Sequence, residues 1–319
     1  MLSAILKLIR WKNLLIIAFT QYCIRYLLIG SMLKFMNLGI ILQMSDFNFL
    51  LLCLSTLSIA AAGYIINDYF DTRIDSINKP QQVVVGKQIS RRQAMLLHSL
   101  LNIVGVLLGF YVAYCVGLIK LGFIHLLSSG LLWFYSTNFK KQFLTGNIIT
   151  SLLTAMVPMI VVLYELPMLL SKYKTVLQYS GVNFNHVLQF VAAYSGFAFL
   201  TALIREIVKD MEDAEGDSQF GCTTLPVVCG TEVSKRVVIL LSIIEMVLLL
   251  FIQIKQYISA DKISFIYFLI CFQGGFAWFL YQLNKASTPA QFHLASRTIK
   301  IIMLFGVAYS GIYYYLLIY

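Results

Sequence analysis

The sequence predicts an all-α, polytopic membrane protein with about nine transmembrane helices, and three observations support this fold class. First, 60% of the 319 residues are hydrophobic and only 12% are charged, whereas soluble domains carry roughly a quarter of their residues as charges. Second, apolar stretches of roughly 20 residues, the length needed to cross a bilayer, recur along the chain. Third, the short alternating segments of an outer-membrane barrel do not recur. Soluble, disordered and fibrous classes are therefore excluded.

The apolar stretches define the predicted spans. They lie near residues 14–33, 47–66, 95–116, 118–137, 147–168, 188–207, 237–254, 263–283 and 299–318. The third and fourth spans are nearly contiguous in the sequence, which predicts a tight helical hairpin. No low-complexity segment or interdomain linker interrupts the series, so we expect one transmembrane domain over residues 1–319.

The net charge of +10 indicates anionic partners, either membrane lipid head groups or a phosphate-bearing substrate. The 24 Lys and Arg residues are spread over short loops and form no block, which argues against nucleic acid. With a cytoplasmic N-terminus, most of them lie on the cytoplasmic side, as the positive-inside rule requires. We therefore expect a multi-pass integral membrane protein, in the inner membrane if the source is bacterial.

The acidic residues are concentrated in two places. Nine of the 14 acidic residues occur in two short segments, three within 68–75 and six within 206–217. Each segment contains the spacing D-x-x-D-x-x-x-D, and on a helix the positions i, i+3 and i+7 share one face. The resulting carboxylate stripes are Asp68, Asp71 and Asp75 in the first motif, and Asp210, Asp213 and Asp217 in the second. Four predicted spans separate the motifs, so both are expected on the same side, in Asp-rich cytoplasmic loops.

Three carboxylates on one helix face repel one another, and a divalent cation resolves that repulsion. Mg²⁺ is bound by a few carboxylates, keeps several waters and completes its shell with substrate phosphates. Acids that merely solvate a helix end would explain one such motif, but they do not explain two with the same spacing. We therefore predict that the six Asp residues bind Mg²⁺ and, through it, a diphosphate.

Cations accompany the acids. Arg205 and Lys209 are able either to meet phosphate oxygens or to pair with carboxylates, and the sequence leaves both roles open. Arg25 lies within a span, where a functional role and snorkelling to the outer face are both open. The six cysteines and four histidines show no paired metal-ligand spacing.

These motifs resemble those of the UbiA superfamily of intramembrane prenyltransferases. The run N-D-Y-F-D-T-R-I-D at 67–75 is similar to that family's N-D-x-x-D-x-x-x-D, and Y-S-x-x-x-K at 135–140 and G-N at 146–147 fit its intervening segment. The second motif, R-E-I-V-K-D-M-E-D-A-E-G-D at 205–217, continues into G-C-T-T-L-P at 221–226. It most resembles the geranylgeranylglycerol-phosphate geranylgeranyltransferase branch. One departure is that Gln81-Gln82-Val83 stands where the family often has Arg-Pro, so a usual phosphate-side arginine is missing.

The resemblance implies Mg²⁺-dependent transfer of a prenyl group, geranylgeranyl in this branch, from an allylic diphosphate to an acceptor. It implies catalytic roles for Asp71, Asp213 and Lys209. Diphosphate contacts are implied for six residues, namely Asn67, Arg205, Lys209, Lys140, Tyr135 and Asn147. Aromatic candidates for facing an allylic cation are Tyr69, Phe70, Tyr135 and Tyr194.

Several alternatives stay open from the sequence. The acceptor is expected to be a lipid such as geranylgeranylglycerol phosphate, and the runner-up is an aromatic acid of quinone biosynthesis, of the 4-hydroxybenzoate, dihydroxynaphthoate or homogentisate type. A CDP-alcohol phosphotransferase is disfavoured because that class has one acidic motif. A Mg²⁺ transporter is disfavoured because its acids should lie deep within spans.

Overall fold

A computed structural model describes residues 2–36, 38–78, 81, 83–180 and 183–318, which are almost entirely helical. The α-helices in these ranges are, in chain order, α1 (Leu2–Leu8), α2 (Trp11–Tyr22), α3 (Gly30–Phe35), α4 (Asp46–Asn78), α5 (Arg91–Cys115), α6 (Gly122–Thr137), α7 (Thr145–Lys172), α8 (Lys174–Ser180), α9 (Asn185–Gln219), α10 (Leu225–Cys229), α11 (Thr231–Ile258), α12 (Lys262–Tyr267), α13 (Gly275–Lys285) and α14 (Pro289–Ile318). Two π-helical segments, Cys23–Ile29 and Phe268–Gly274, connect α2 to α3 and α12 to α13. The all-α prediction is confirmed.

Across the described residues, eight helical segments are long and apolar enough to cross a membrane. Of the predicted spans, 118–137 corresponds to α6, which has only 16 residues and is shorter than the other spans. The count of about nine therefore agrees with the structure to within this one short helix. The polytopic membrane class follows from the number, length and apolar composition of these helices.

The chain divides into two compact units, leaving aside its last two residues. The first unit comprises Met1–Phe139 and Met156–Ser195, and the second comprises Lys140–Ala155 and Gly196–Leu317. Two of the three divisions fall within α7 and α9, and the third falls between Phe139 and Lys140, in the turn before α7. The first acidic motif belongs to the first unit, and the second motif belongs to the second unit.

In the first unit, α4, α5 and α6 pack against one another through small residues. A Cβ added at Gly109 of α5 would lie 2.4 Å from the ring of His125 on α6, so only glycine allows this approach. Ser55 of α4 donates to the Gly105 carbonyl oxygen at 2.6 Å and contacts His125 Nδ1 at 2.7 Å. Small residues and buried hydroxyls are the usual means by which membrane helices approach closely.

Arg25 is buried in the first unit, with 1% of its side chain exposed. The alternative that its charged group snorkels to the outer face is therefore wrong. Its Nη2 donates to the Met44 carbonyl oxygen, and its Nε lies 3.7 Å from Glu165 Oε2. Glu165 also accepts from the Met44 amide at 3.1 Å. The guanidinium lies 4.5 Å from the centre of the Phe49 ring. Arg25 and Glu165 thus tie the segment preceding α4 to the π-helical segment and to α7.

The second unit also contains buried polar contacts. Glu245 of α11 meets the Thr201 hydroxyl of α9 at 2.5 Å. Gln273, in the π-helical segment before α13, donates to the Gln253 side-chain oxygen of α11 at 2.9 Å. Such interhelical hydrogen bonds hold membrane helices in register because lipid offers no competing partner.

The lengths of α4 and α9 determine where the acidic motifs lie. α4 has 33 residues and α9 has 35, so each is about 50 Å long, whereas a hydrocarbon core is about 30 Å thick. Each helix therefore extends beyond the apolar layer, and in both cases the acids occupy the C-terminal part. The expectation of Asp-rich loops is wrong, because both motifs are helical. The prediction that each motif forms a stripe on a helix face is confirmed.

Candidate active site

The first motif lies on the last turns of α4, where Asp68, Asp71 and Asp75 share a face and are partly buried. Asp68 forms an ion pair. Its Oδ1 accepts from Arg10 Nη2 at 2.8 Å, and 17% of its side chain is exposed. Arg10 precedes α2 and lies far from the motif in sequence. A sheltered carboxylate is costly unless it is paired, and here a distant arginine supplies the charge.

Asn67 precedes Asp68 and was predicted to contact the diphosphate. Its Oδ1 is shielded from solvent and has no hydrogen-bond partner in the described structure. A buried amide oxygen without a partner costs free energy, on the order of 1–3 kcal/mol. Such an oxygen is available to a cation or to a water bound to one. The Asn67 side chain is therefore better suited to binding a ligand through its amide oxygen than to acting only as a hydrogen-bond donor.

Two aromatic residues follow Asp68 in the motif. The Arg91 guanidinium, at the start of α5, lies 4.1 Å from the centre of the Tyr69 ring. Phe70 packs edge-on against Tyr69 at 5.2 Å and against Trp133 at 6.0 Å. The ring of Tyr69 thus already faces a cation of the protein. Its predicted role opposite an allylic cation stays a prediction, as do those of Phe70, Tyr135 and Tyr194.

The second motif lies on the last turns of α9, where Asp210, Asp213 and Asp217 are also partly buried. Asp210 Oδ2 accepts from Asn147 Nδ2 at 2.7 Å, a short hydrogen bond. Asn147 is buried at the start of α7. Sequence resemblance predicted Asn147 as a diphosphate contact, and the structure pairs it directly with an Asp of the motif.

Arg205 and Lys209 both contact Glu206. Lys209 Nζ donates to Glu206 at 2.8 and 3.1 Å, and Arg205 Nη1 donates to it at 3.1 Å. Of the two roles that the sequence left open, the structure shows pairing with a carboxylate. Glu206 was not predicted as the partner of these cations, although it lies three residues before Lys209, a spacing that brings side chains together on a helix.

A turn containing Lys140 and Lys141 is attached to the segment that follows the second motif. Thr223 donates to the Lys141 carbonyl oxygen through its amide at 2.7 Å and through its hydroxyl at 2.9 Å. The Cys222 amide donates to the Asp217 carbonyl oxygen at 3.0 Å. Lys140 is thereby held in the same unit as the second motif, whereas Tyr135, on α6, belongs to the first unit.

His293 is a second residue that sequence reasoning missed. Its Nδ1 lies 3.1 Å from Glu212 Oε1, and only 10% of the Glu212 side chain is exposed. His293 is on α14, so this contact fastens α14 to the second motif. Glu212 lies off the Asp stripe of the second motif, and its contact with His293 gives it a supporting role. No local sequence signal indicated the pair, because the residues are 81 positions apart.

Within the described ranges, no three His, Cys, Asp or Glu side chains are already grouped to hold a metal ion. The donors are nevertheless of the right chemical type, since hard carboxylate and amide oxygens are the ligands that Mg²⁺ prefers. The unpartnered Asn67 Oδ1 adds an oxygen beside Asp68. Arg10 and Asn147 make the contacts that stabilise Asp68 and Asp210. The residues present therefore fit Mg²⁺ in their donor chemistry.

The chain is similar in sequence to known prenyltransferases. The sequence model of the UbiA prenyltransferase family matches residues 36–316. A digeranylgeranylglyceryl phosphate synthase of Methanosarcina mazei is 29% identical over 312 residues, which cover 95% of each chain. The synthase of the same name from Methanothermobacter thermautotrophicus is 34% identical over 204 residues, and that match spans 64% of each chain.

Solved structures share the fold. A UbiA homologue from Archaeoglobus fulgidus, bound to DMAPP and Mg²⁺, has a TM-score of 0.58 and 17% identity. The alignment covers 98% of this chain and 99% of the homologue. At 17% identity the structural likeness shows the fold alone. Membership of the family rests on the family's sequence model, which matches most of the chain. This chain therefore belongs to the UbiA prenyltransferase family and is a multi-pass membrane prenyltransferase.

Proposed function

We propose that the protein transfers a prenyl group, geranylgeranyl by our expectation, from an allylic prenyl diphosphate to the hydroxyl of a prenylglyceryl phosphate lipid. The observation that carries the proposal is the pair of acidic motifs with identical spacing, of which the second continues into T-L-P. The relative from Methanosarcina mazei, whose match covers 95% of each chain, is named a digeranylgeranylglyceryl phosphate synthase, which supports the acceptor class. The partners are then a prenyl diphosphate, this lipid acceptor and the surrounding membrane lipids.

The reaction breaks the bond between the allylic carbon and the diphosphate oxygen. The electron pair leaves with the diphosphate, and the hydroxyl oxygen of the acceptor forms the new ether bond to carbon. The hydroxyl proton passes to a carboxylate of the motifs, for which Asp71 and Asp213 are the proposed residues. The long apolar helices shield the allylic cation from water until the acceptor attacks.

In this proposal, the three Asp residues of each motif hold Mg²⁺. When bound, Mg²⁺ neutralises charge on the departing diphosphate. The chain's own donors act on the same group: Lys209, Arg205 and Lys140 bring positive charge, while Asn147 holds Asp210 in place. Lys209 and Arg205 exchange Glu206 for phosphate oxygens when the substrate arrives. Donors aimed at developing charge are the largest single contribution to catalysis in many enzymes.

The acidic motifs are proposed to face the cytoplasm. The basis is the distribution of Lys and Arg residues, which follows the positive-inside rule only for a cytoplasmic N-terminus. This side also gives a charged, water-soluble prenyl diphosphate direct access to the ends of α4 and α9.

Prenyl transfer in detergent-solubilised protein tests the motifs. The assay follows radiolabel from geranylgeranyl diphosphate into a lipid extract that contains geranylgeranylglyceryl phosphate. Asp71→Asn and Asp213→Asn should each lower kcat at least about 100-fold, because each removes an anionic oxygen ligand. Glu215→Gln is the matched control, since Glu215 is exposed and off the stripe. Full transfer by either Asp variant would contradict the proposal.

A further inference from the structure

We propose that Arg10 is a positioning residue of the first motif: it pairs with Asp68 as long as Asp68 binds no metal ion, and it moves to the diphosphate once Asp68 binds Mg²⁺. This inference rests on the proposed function and assigns it a residue that neither the motifs nor the spacing indicated. In the sequence, Arg10 is simply one of several basic residues before the first span.

Arg10 makes two contacts with one face of α4. Its Nη2 lies 2.8 Å from Asp68 Oδ1, and its guanidinium carbon lies 5.0 Å from the centre of the Tyr64 ring. Tyr64 and Asp68 are four residues apart, so they lie one above the other on the helix. The tyrosine ring supports the guanidinium plane, which fixes the arginine over the motif.

The backbone at Arg10 is specifically placed. Its φ is 51° and its ψ is 52°, a left-handed conformation that non-glycine residues rarely adopt and that persists when the surroundings require it. The Arg10 carbonyl oxygen accepts from the amides of Asn13 at 2.8 Å and Leu14 at 3.3 Å, so the same residue starts α2. A strained residue that also holds a functional side chain is a common arrangement at active sites.

The preceding helix α1 anchors this junction. Leu8 is fully buried in a cluster with Ile65 of α4, Val84, and Ala94 of α5. The cluster joins the N-terminal segment, the helix that carries the first motif, and the stretch after that motif. Arg10, two residues beyond Leu8, is therefore positioned by packing.

Arg10 brings a guanidinium to the first motif from outside that motif, since it precedes α2 and pairs with Asp68. The Asp68 side chain is only 17% exposed whereas that of Arg10 is 40% exposed, so the arginine is the more accessible member of the pair. A guanidinium binds phosphate oxygens through two parallel hydrogen bonds, which an ammonium group does not reproduce.

The competition between Arg10 and a metal ion predicts two effects of opposite sign. Arg10→Met removes the cation that occupies Asp68, so Mn²⁺ should bind about two- to five-fold more tightly when no diphosphate is present, the range of a partly exposed ion pair. The same variant should raise the KM for geranylgeranyl diphosphate about ten-fold or more at saturating Mg²⁺, since a charge-assisted hydrogen bond is lost. A residue needed only for folding would weaken both together.

The experiment measures Mn²⁺ binding by electron paramagnetic resonance, and prenyl transfer, on detergent-solubilised wild type, Arg10→Met, Arg10→Lys and Lys12→Met. Arg10→Lys keeps the charge and loses the planar fork. It should bind Mn²⁺ like wild type and still show a raised KM, so it decides the proposal even if Arg10→Met fails to fold. Lys12→Met is the matched control, because Lys12 is exposed and its Nζ lies 5.9 Å from the centre of the neighbouring Trp11 ring. It should leave both quantities unchanged.

Three results would overturn the proposal: unchanged Mn²⁺ affinity and KM in both Arg10 variants, a parallel loss of both affinities, or no Mn²⁺ binding by wild type and Arg10→Met alike. A wild type that binds Mn²⁺ but transfers no prenyl group would instead contradict the proposed function. In that case, the Mn²⁺ titration still decides whether Arg10 occupies Asp68.

Discussion

The hydrogen bond from Asn147 to Asp210 offers the sharpest test of how the second motif is held. Asn147 Nδ2 lies 2.7 Å from Asp210 Oδ2, and Asn147 is buried, so water does not readily replace it. Asn147→Leu keeps a side chain of similar size and removes the donor. The Asp210 carboxylate then loses a neutral hydrogen-bond donor that orients it. Because that donor carries no charge, it does not compete with a metal cation for the carboxylate.

The magnitude follows from the type of bond. A hydrogen bond to a charged group contributes about 1.5–3 kcal/mol, which corresponds to about 10- to 150-fold in rate. We therefore expect kcat/KM for the prenyl diphosphate to fall by about that factor, and the Mg²⁺ concentration for half-maximal activity to rise. Asn147→Asp should be more damaging, because it places two carboxylates in direct contact.

The assay is steady-state transfer from labelled geranylgeranyl diphosphate over a range of Mg²⁺ concentrations. Thr150→Val is the matched control, because Thr150 lies one turn along α7 and its hydroxyl contacts the carbonyl oxygens of Gly146 and Asn147 at 3.1 Å. It should leave kcat/KM within about two-fold, as expected for an exchange that affects only a local helix contact. Wild-type kcat/KM in Asn147→Leu would refute the reasoning.

Three further outcomes are expected. EDTA should abolish transfer and added Mg²⁺ should restore it; transfer that persists in EDTA would show that the six aspartates do not act through a metal. Arg25→Met should lower the free energy of unfolding by about 3–5 kcal/mol, because it leaves the buried Glu165 carboxylate without its cation. Thermal unfolding should show this loss by comparison with Asp46→Asn, since the Asp46 side chain is 84% exposed. Equal melting temperatures of the two variants would contradict the expectation. Gly109→Ala should destabilise by about 1–3 kcal/mol, since its Cβ would lie 2.4 Å from the His125 ring, whereas Gly130→Ala, with nothing within 4 Å, should not; similar stability of the two variants would disprove the close approach.

The features that the sequence predicted well are those with a fixed period or length. A span requires about 20 apolar residues, so the number of spans was predictable to within the short helix α6. A spacing of three and seven fixes a helix face, so the stripes at Asp68 and Asp210 were predictable before their helices were known. The loops predicted for the motifs were wrong because apolar windows end where polar residues begin, whereas α4 and α9 continue as helices past that point.

The features that the sequence missed are contacts between distant positions. Arg10 meets Asp68 across 58 positions, and His293 meets Glu212 across 81. No local pattern encodes such pairs, since they depend on how α1, α4, α9 and α14 pack. The Glu206 pair with Lys209 is different, because it follows from helical spacing alone.

Arg25 shows a third kind of difficulty. A charge within a span is compatible with burial, with snorkelling or with a functional site, and these differ only in the position of its partner. That partner, Glu165, lies on α7, and composition gives no means of pairing the two. The burial of Arg25 therefore required the fold.

The central claim is that the chain prenylates a glyceryl phosphate lipid through its acidic motifs, and product identification from a competition tests it most directly. Solubilised protein is given labelled geranylgeranyl diphosphate, Mg²⁺ and equal concentrations of geranylgeranylglyceryl phosphate, 4-hydroxybenzoate, dihydroxynaphthoate and homogentisate. We predict that the label enters the glyceryl phosphate lipid as a second ether-linked chain. Label found only in an aromatic product would contradict the acceptor, and the absence of any prenylated product would contradict the claim as a whole.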